Sequence, residues 1–149
     1  MAIVAEPVGH DQLDHLATFL RSEELPDDDI SLPNRHFFFF KDEGGQFLGI
    51  GGFEIHGSDA LLRSVVTAPE VRGQGHGMPM VEALLNEMRG HGAEMVYLLT
   101  TTAGGFFSKF GFVEITRDEV PPGIKATQEY ALLCPADALV MRRKLTFTD

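Results

Sequence analysis

The chain has 149 residues, 44% hydrophobic and 23% charged, with a formal net charge of −10; this is the mix of one ordinary globular domain. So acidic a chain is repelled by phosphate backbones, which argues against nucleic acid as a partner, and an anionic ligand would need a local site of backbone N–H groups and a few cations. The single Cys excludes an intrachain disulfide, the first residues lack a signal-peptide pattern, and no apolar run nears ~20 residues, so the expectation is a cytoplasmic protein with no membrane partner.

In chain order, Ile3–Val8 reads as a strand. Asp11 to Leu20 reads as a helix, with Leu13, Leu16, Ala17 and Leu20 on one apolar face and Asp11 and Asp14 in its first turn. Residues 23–34, with Pro26, Asp27-Asp28-Asp29 and Pro33, read as a solvated acidic loop that could border a substrate mouth. A meander follows: strand His36–Lys41, turn Asp42–Gly45, strand Phe47–His56, turn Gly57–Ala60, strand Leu61–Thr67. A two-residue turn at Ser58-Asp59 would set Ile55 opposite Leu62 and Glu54 opposite Arg63. Alternate rings of Phe37-Phe38-Phe39-Phe40 should pack on both faces of the sheet, chiefly as core.

A glycine-rich segment then opens a helix to about Arg89, striped by Met78, Val81, Leu85 and Met88 and ended by Gly90-His91-Gly92. Met95–Thr100 is a short buried strand, Thr102–Phe110 a short helix closed by Gly111, and Phe112–Thr116 a strand. Pro121-Pro122 precede a helical stretch to about Tyr130, Cys134-Pro135 break it, and Leu139–Leu145 is the last strand. The order implies one domain, 1–149, of mixed α/β class.

The segment that carries chemistry is Arg72-Gly73-Gln74-Gly75-His76-Gly77. A strand ends, a turn follows, and three alternate glycines open a helix. Glycines admit close backbone approach, and a helix start offers unpaired N–H groups with the positive end of the dipole. Together they make a cradle for a pyrophosphate, to which Arg72 adds a cation. A Walker A loop would need Lys-Ser or Lys-Thr where Met78-Pro79 stand. The G-x-G-x-G spacing also misses the dinucleotide-binding G-x-G-x-x-G, although a nucleotide-binding protein of that type stays open as an alternative. Arg72, Gly75 and Gly77 match an R-x-x-G-x-G acetyl-CoA loop in full; the bland alternative is a glycine-rich turn with no ligand.

Around that loop the sequence resembles the GNAT superfamily of N-acetyltransferases over nearly its whole length. Leu62 to Glu70 looks like the fourth strand and turn of that family, Met95 to Thr101 like its fifth strand, and Ala103 to Phe112 like the helix that follows with its Gly-Phe end. The resemblance implies a strongly twisted, mostly antiparallel sheet with splayed parallel strands four and five, flanked by helices. It implies transfer of an acetyl group from acetyl-CoA, with no metal, to a small-molecule amine. The backbone of Val65, Val66 and Thr67 would bond the pantetheine amides, and the N–H groups of Gly73, Gln74, Gly75, His76 and Gly77 would hold the pyrophosphate. Thr101, Phe106, Phe107 and Lys109 would border the cofactor. A homodimer is a further expectation. Leu61 to Val66, Leu98 to Ala103 and Leu133 to Ala136 are also similar to a bacterial branch associated with arsenic resistance, which implies an amino-acid-like acceptor.

The sequence departs from the family at Phe107, where many members carry a Tyr that protonates the leaving thiolate. A thiolate is a tolerable leaving group, so water or another residue could serve. The departure keeps open a catalytically idle, CoA-binding sensor or interaction module. Pro79 lies near enough to the helix start to be tolerated. Glu54 is a candidate general base and Arg63 a candidate clamp for a substrate carboxylate; the structural alternative is that they pair with each other. His56 reads as exposed, Cys134 as a packed small residue, and His10, His15, His36 and His91 show no metal-ligand spacing.

Overall fold

The alternating apolar runs form a seven-stranded sheet among the described residues of the computed structural model, which are 3–127, 130 and 138–145. The strands are β1 (Ile3–Pro7), β2 (Arg35–Asp42), β3 (Phe47–His56), β4 (Asp59–Thr67), β5 (Met95–Thr100), β6 (Val113–Ile115) and β7 (Leu139–Lys144). The helices are α1 (Leu13–Ser22), α2 (Gly77–Gly90), α3 (Gly104–Ser108) and α4 (Pro122–Lys125). Their spatial order is β1-β2-β3-β4-β5-β7-β6, antiparallel throughout except between β4 and β5. This is the mixed α/β sheet the sequence predicts, with its parallel pair at strands four and five. None of the described helices is long and apolar enough to cross a membrane.

The Phe run of β2 is buried on both faces, which is why it is continuous rather than alternating. Phe38 and Phe40 join Met80, Val81, Leu84, Leu85 and Met88 of α2 on one face. Phe37 and Phe39 join Leu16, Ala17 and Leu20 of α1 on the other. Leu16, Leu20 and Leu84 have no exposure, and each such leucine contributes about 1.5–3 kcal/mol of burial. A third cluster, Leu61, Tyr97, Val120, Ile124 and Val140, places α4 on the face opposite α2.

Three sequence expectations need correction. The apolar stripe of α2 does not begin at Met78, which is 47% exposed. The helix starts only at Gly77, so Met78 lies in its first turn beside the glycine loop, and Met80 and Leu84 carry the packing instead. The first helix also starts late, because His10–Gln12 wind as a 3₁₀ turn before α1. The β3–β4 turn is Gly57-Ser58, with His56 opposite Asp59, not Ser58-Asp59. Gly57 takes φ +67, and a two-residue turn that needs φ > 0 at its first position settles on the glycine. Glu54 therefore pairs with Leu61, and Arg63 with Gly52. The expected break at Cys134-Pro135 lies outside the described residues.

Candidate active site

The site begins with one extra residue in β4. Gly52 pairs with Arg63 and Ile50 with Val66, so Ser64 and Val65 together face Gly51. Ser64 takes φ +59 to make this bulge. A bulge bends its strand and ends regular pairing. Parallel pairing of β4 with β5 covers Asp59↔Met95, Ala60↔Val96 and Leu61↔Tyr97 and goes no further. Beyond it the strands part around a cavity of 310 Å³. Its walls are Leu62 to Val66 on β4, Leu98 to Ala103 on β5 and its exit, Phe107 of α3, and Glu23 and Leu25 after α1. The two facing strand edges thus present backbone N–H and C=O groups to the cleft, partners for an amide-bearing chain.

At one end of this cleft lies the glycine loop. Pro69–Val71 form a 3₁₀ turn, then Gly73 and Gly75 take φ +81 and +86, with no atom within 4 Å of where a side chain would begin. Their backbone is therefore both left-handed and open to a ligand. His76 is the N-cap of α2 and makes no side-chain capping bond, and the first turn of α2 carries no acidic residue. Its leading N–H groups and positive dipole end remain available to an anion. Gly77 packs against Phe106, whose Cζ would lie 3.3 Å from an added Cβ. Arg72 donates from Nε to Thr67 O at 3.0 Å and from Nη2 to Glu23 Oε1 at 2.7 Å, tying the loop to the end of α1. At the exit of β5, Thr100 Oγ1 accepts from the N–H groups of Thr102 and Ala103 at 3.3 and 2.9 Å, shaping the turn into α3.

Behind the cavity wall is a charge network. Arg63 has no side-chain exposure. Its Nη1 donates to Asp29 Oδ2 at 2.6 Å and to Glu54 Oε2 at 2.7 Å, its Nη2 to Pro26 O at 3.1 Å, and its Nε to Ser64 Oγ at 3.1 Å. The guanidinium also lies 5.3 Å from the centre of the Phe37 ring. Glu54, likewise unexposed, has Arg35 at 3.4 Å and accepts from His56 Nε2 at 2.8 Å. Arg35 also donates to Asp29 Oδ2 at 3.3 Å. Two carboxylates thus face two guanidiniums, which is how four charges come to be buried together. Gly52 makes the room: a side chain there would collide with the Phe37 ring and His36 O.

The residues singled out in the sequence fall into two groups. Val65, Val66, Thr101 and Phe107 line the cavity, Gly73 to Gly77 form the loop at its end, Thr67 anchors Arg72, Phe106 packs under Gly77, and Lys109 is exposed after α3. Glu54 and Arg63 do meet, diagonally across the hairpin rather than directly opposite, with their polar atoms turned on each other and on Asp29 and Arg35. Asp29 is 3% exposed, where the acidic run reads as solvated. His56 is half-buried by its bond to Glu54, where it reads as exposed. Ile30 beside Asp29 is buried and draws that end of the loop inward, where Arg63 meets the carboxylate.

Residues 33–114, more than half of the chain, match the family model for the acetyltransferase (GNAT) domain. No curated protein sequence matches the chain. Among solved structures, a GNAT-family acetyltransferase from Staphylococcus aureus is 17% identical with a TM-score of 0.71, covering 97% of this chain and 100% of its own. The N-acetylglutamate synthase of Neisseria gonorrhoeae, solved with coenzyme A and N-acetyl-glutamate, is 16% identical with a TM-score of 0.79 over 98% of this chain; the chain spans 36% of that enzyme. The ribosomal-protein-S18-alanine N-acetyltransferase of Escherichia coli is 16% identical with a TM-score of 0.70, covering 99% of this chain and 97% of its own. These likenesses are of fold; the match to the domain model settles the membership, and the chain belongs to the GNAT acetyltransferase family.

Proposed function

We propose that the protein transfers an acetyl group from acetyl-CoA to the amino group of a small molecule. The observation that carries this reading is one continuous geometry: a slot between two parted strands ending at a glycine loop with free N–H groups. A long amide-bearing chain suits the slot, and a pyrophosphate suits the loop. Bound acetyl-CoA would supply the thioester carbonyl that an amine can attack. The edges of Val65, Val66 and Thr67 bind and orient it, and the N–H groups of Gly73 to Gly77, with Arg72, take the anionic end. A backbone N–H near Val66 donates a hydrogen bond to the attacked carbonyl oxygen as negative charge develops on it. Attack is direct, by the neutral amine in a ternary complex, and needs no metal.

Glu54 and Arg63 act in this reading as positioning residues. Their network holds Ser64 in the bulge and Pro26 to Asp29 against the sheet. A bound water then removes the proton of the incoming ammonium, and Phe107, which has no proton to give, leaves the departing thiolate to solvent. A second reading, a CoA-binding module without turnover, is favoured by Phe107 alone. Free-thiol release from acetyl-CoA across a panel of amines separates the two. Amine-dependent thiol release supports transfer; tight CoA binding with no release across the panel supports the idle module.

A further inference from the structure

We infer that Ser64 is a catalytic residue, whose hydroxyl donates a hydrogen bond to the thioester sulfur as the thiolate forms; this rests on the acyl-transfer reading of the cleft. A backbone outlier leads to it. Ser64 holds φ +59, a conformation that glycine takes freely and other residues take under strain. Strain of this kind gathers where a structure must aim a group at a ligand. The strained residue lies in the cavity wall and is 6% exposed. Its Oγ accepts from Nε of Arg63 at 3.1 Å, and among the described residues its own proton goes to no protein group. Arg63 is a cation with no side-chain exposure, so the bond it gives is charge-assisted. Density drawn from Oγ toward the guanidinium leaves the O–H a stronger donor.

The direction of β4 puts this donor at the reacting end of the cofactor. A chain held at the glycine loop by its pyrophosphate runs back past Thr67, Val66 and Val65 to the bulge, and the slot closes where β4 pairs with β5 at Leu61↔Tyr97. The other groups at hand are less suited. Phe107 has no proton to donate, Thr100 Oγ1 is tied into the turn after β5, and Thr101 and Thr102 are exposed. In the transfer step the amine nitrogen bonds to the carbonyl carbon, the C–S bond breaks, and its electron pair stays on sulfur. A serine hydroxyl is a far weaker acid than a thiol, so Ser64 keeps its proton and stabilises the thiolate by the hydrogen bond alone. The thiolate then leaves and takes its proton from solvent. In a site shielded from water such a donor is worth more than it would be at the surface.

CoA itself is the probe. The ultraviolet absorbance of its thiolate is followed against pH in complex with the parent chain, with Ser64→Gly and with Ser64→Ala; desulfo-CoA, which lacks the sulfur, supplies the blank. Glycine takes this backbone without strain and alanine keeps the Cβ, so a change shared by both variants is the loss of the hydroxyl. The thiol of CoA bound to the parent should ionise about one pH unit lower than in either variant. In parallel, kcat for acetyl transfer from acetyl-CoA to hydroxylamine, a nucleophile that needs no fitted acceptor site, should fall about tenfold or more in both. An equal thiol pKa in all three complexes would overturn the inference, as would an unchanged kcat. A lower thiol pKa in the parent with no transfer to hydroxylamine leaves Ser64 as the donor to sulfur and removes the transfer reading instead. Failure of the parent to bind CoA removes both.

Discussion

Arg63 brings a full positive charge into the centre of the sheet, and its partners decide what that costs. Removing one member of a buried, hydrogen-bonded charge cluster leaves the others uncompensated, at about 3–5 kcal/mol. Asp29→Ala should therefore lower unfolding stability by that amount in urea titration, although Asp29 stands in what reads as a solvent loop; a loss under ~0.5 kcal/mol, the range of ordinary surface changes, would show the cluster to be weak. Phe107 poses the opposite question. It lies at the cavity wall, packed edge-on against Phe106 and Phe112 with ring centroids 5.1 and 5.8 Å away. Phe107→Tyr adds one hydroxyl facing the cleft, and we expect turnover to be kept or raised. A large fall in kcat with CoA affinity intact would mean that another group already fills the acid's role and space. The sequence made the roles of these two residues unequally visible. Phe107 could be flagged from its place in a motif, whereas the burial of Asp29 depends on a partner 34 residues away that no local pattern reports.

At the scale of elements, the hairpin of β3 and β4 shows what patterning resolves and what it leaves open. Composition fixed both strands and the parting of β4 from β5 followed from resemblance, but the register slid because the turn centres on Gly57, and one glycine among Gly57-Ser58-Asp59-Ala60 does not say which turn position it fills. The bulge at Ser64 was likewise hidden, since a serine carries no signal for φ +59. The glycines of β3 have a different duty, which is to let other groups approach. An added Cβ at Gly52 would lie 2.8 Å from His36 O and 2.7 Å from Cε1 at the edge of the Phe37 ring, and overpacking of this kind costs about 1–3 kcal/mol. Gly52→Ala should thus lower the thermal midpoint and weaken the seat of Arg63, while an unchanged midpoint would mean that Phe37 has a second place to go.

Across the whole molecule, the two ends of α2 carry opposite chemistry. Its start adjoins the glycine loop and carries unpaired N–H groups; its end is capped by His91, whose ring lies tilted against that of His36 with centroids 4.2 Å apart. Burial, and next the neighbouring His91, pull the His36 imidazole below its ordinary value of 6.5, against the opposing pull of Glu87. The folded chain therefore binds this proton less readily than the unfolded chain, so the contribution to stability is present above pH 6.5 and is lost as pH falls through the lowered folded value. His36→Phe should flatten the acid-side decline in melting temperature just below that pH; an unaltered decline would assign it to other groups.

In the proposed function a CoA pyrophosphate rests on the backbone from Gly73 to Gly77. A calorimetric titration of CoA into the parent chain and into Gly75→Val tests it most directly. A β-branched residue at φ +86 distorts the loop and screens its N–H groups, so we predict binding to the parent and a loss of at least ~1–3 kcal/mol of affinity in the variant, the scale of an unsatisfied polar contact. Equal affinity in two proteins with the same melting temperature would contradict the assignment of this loop.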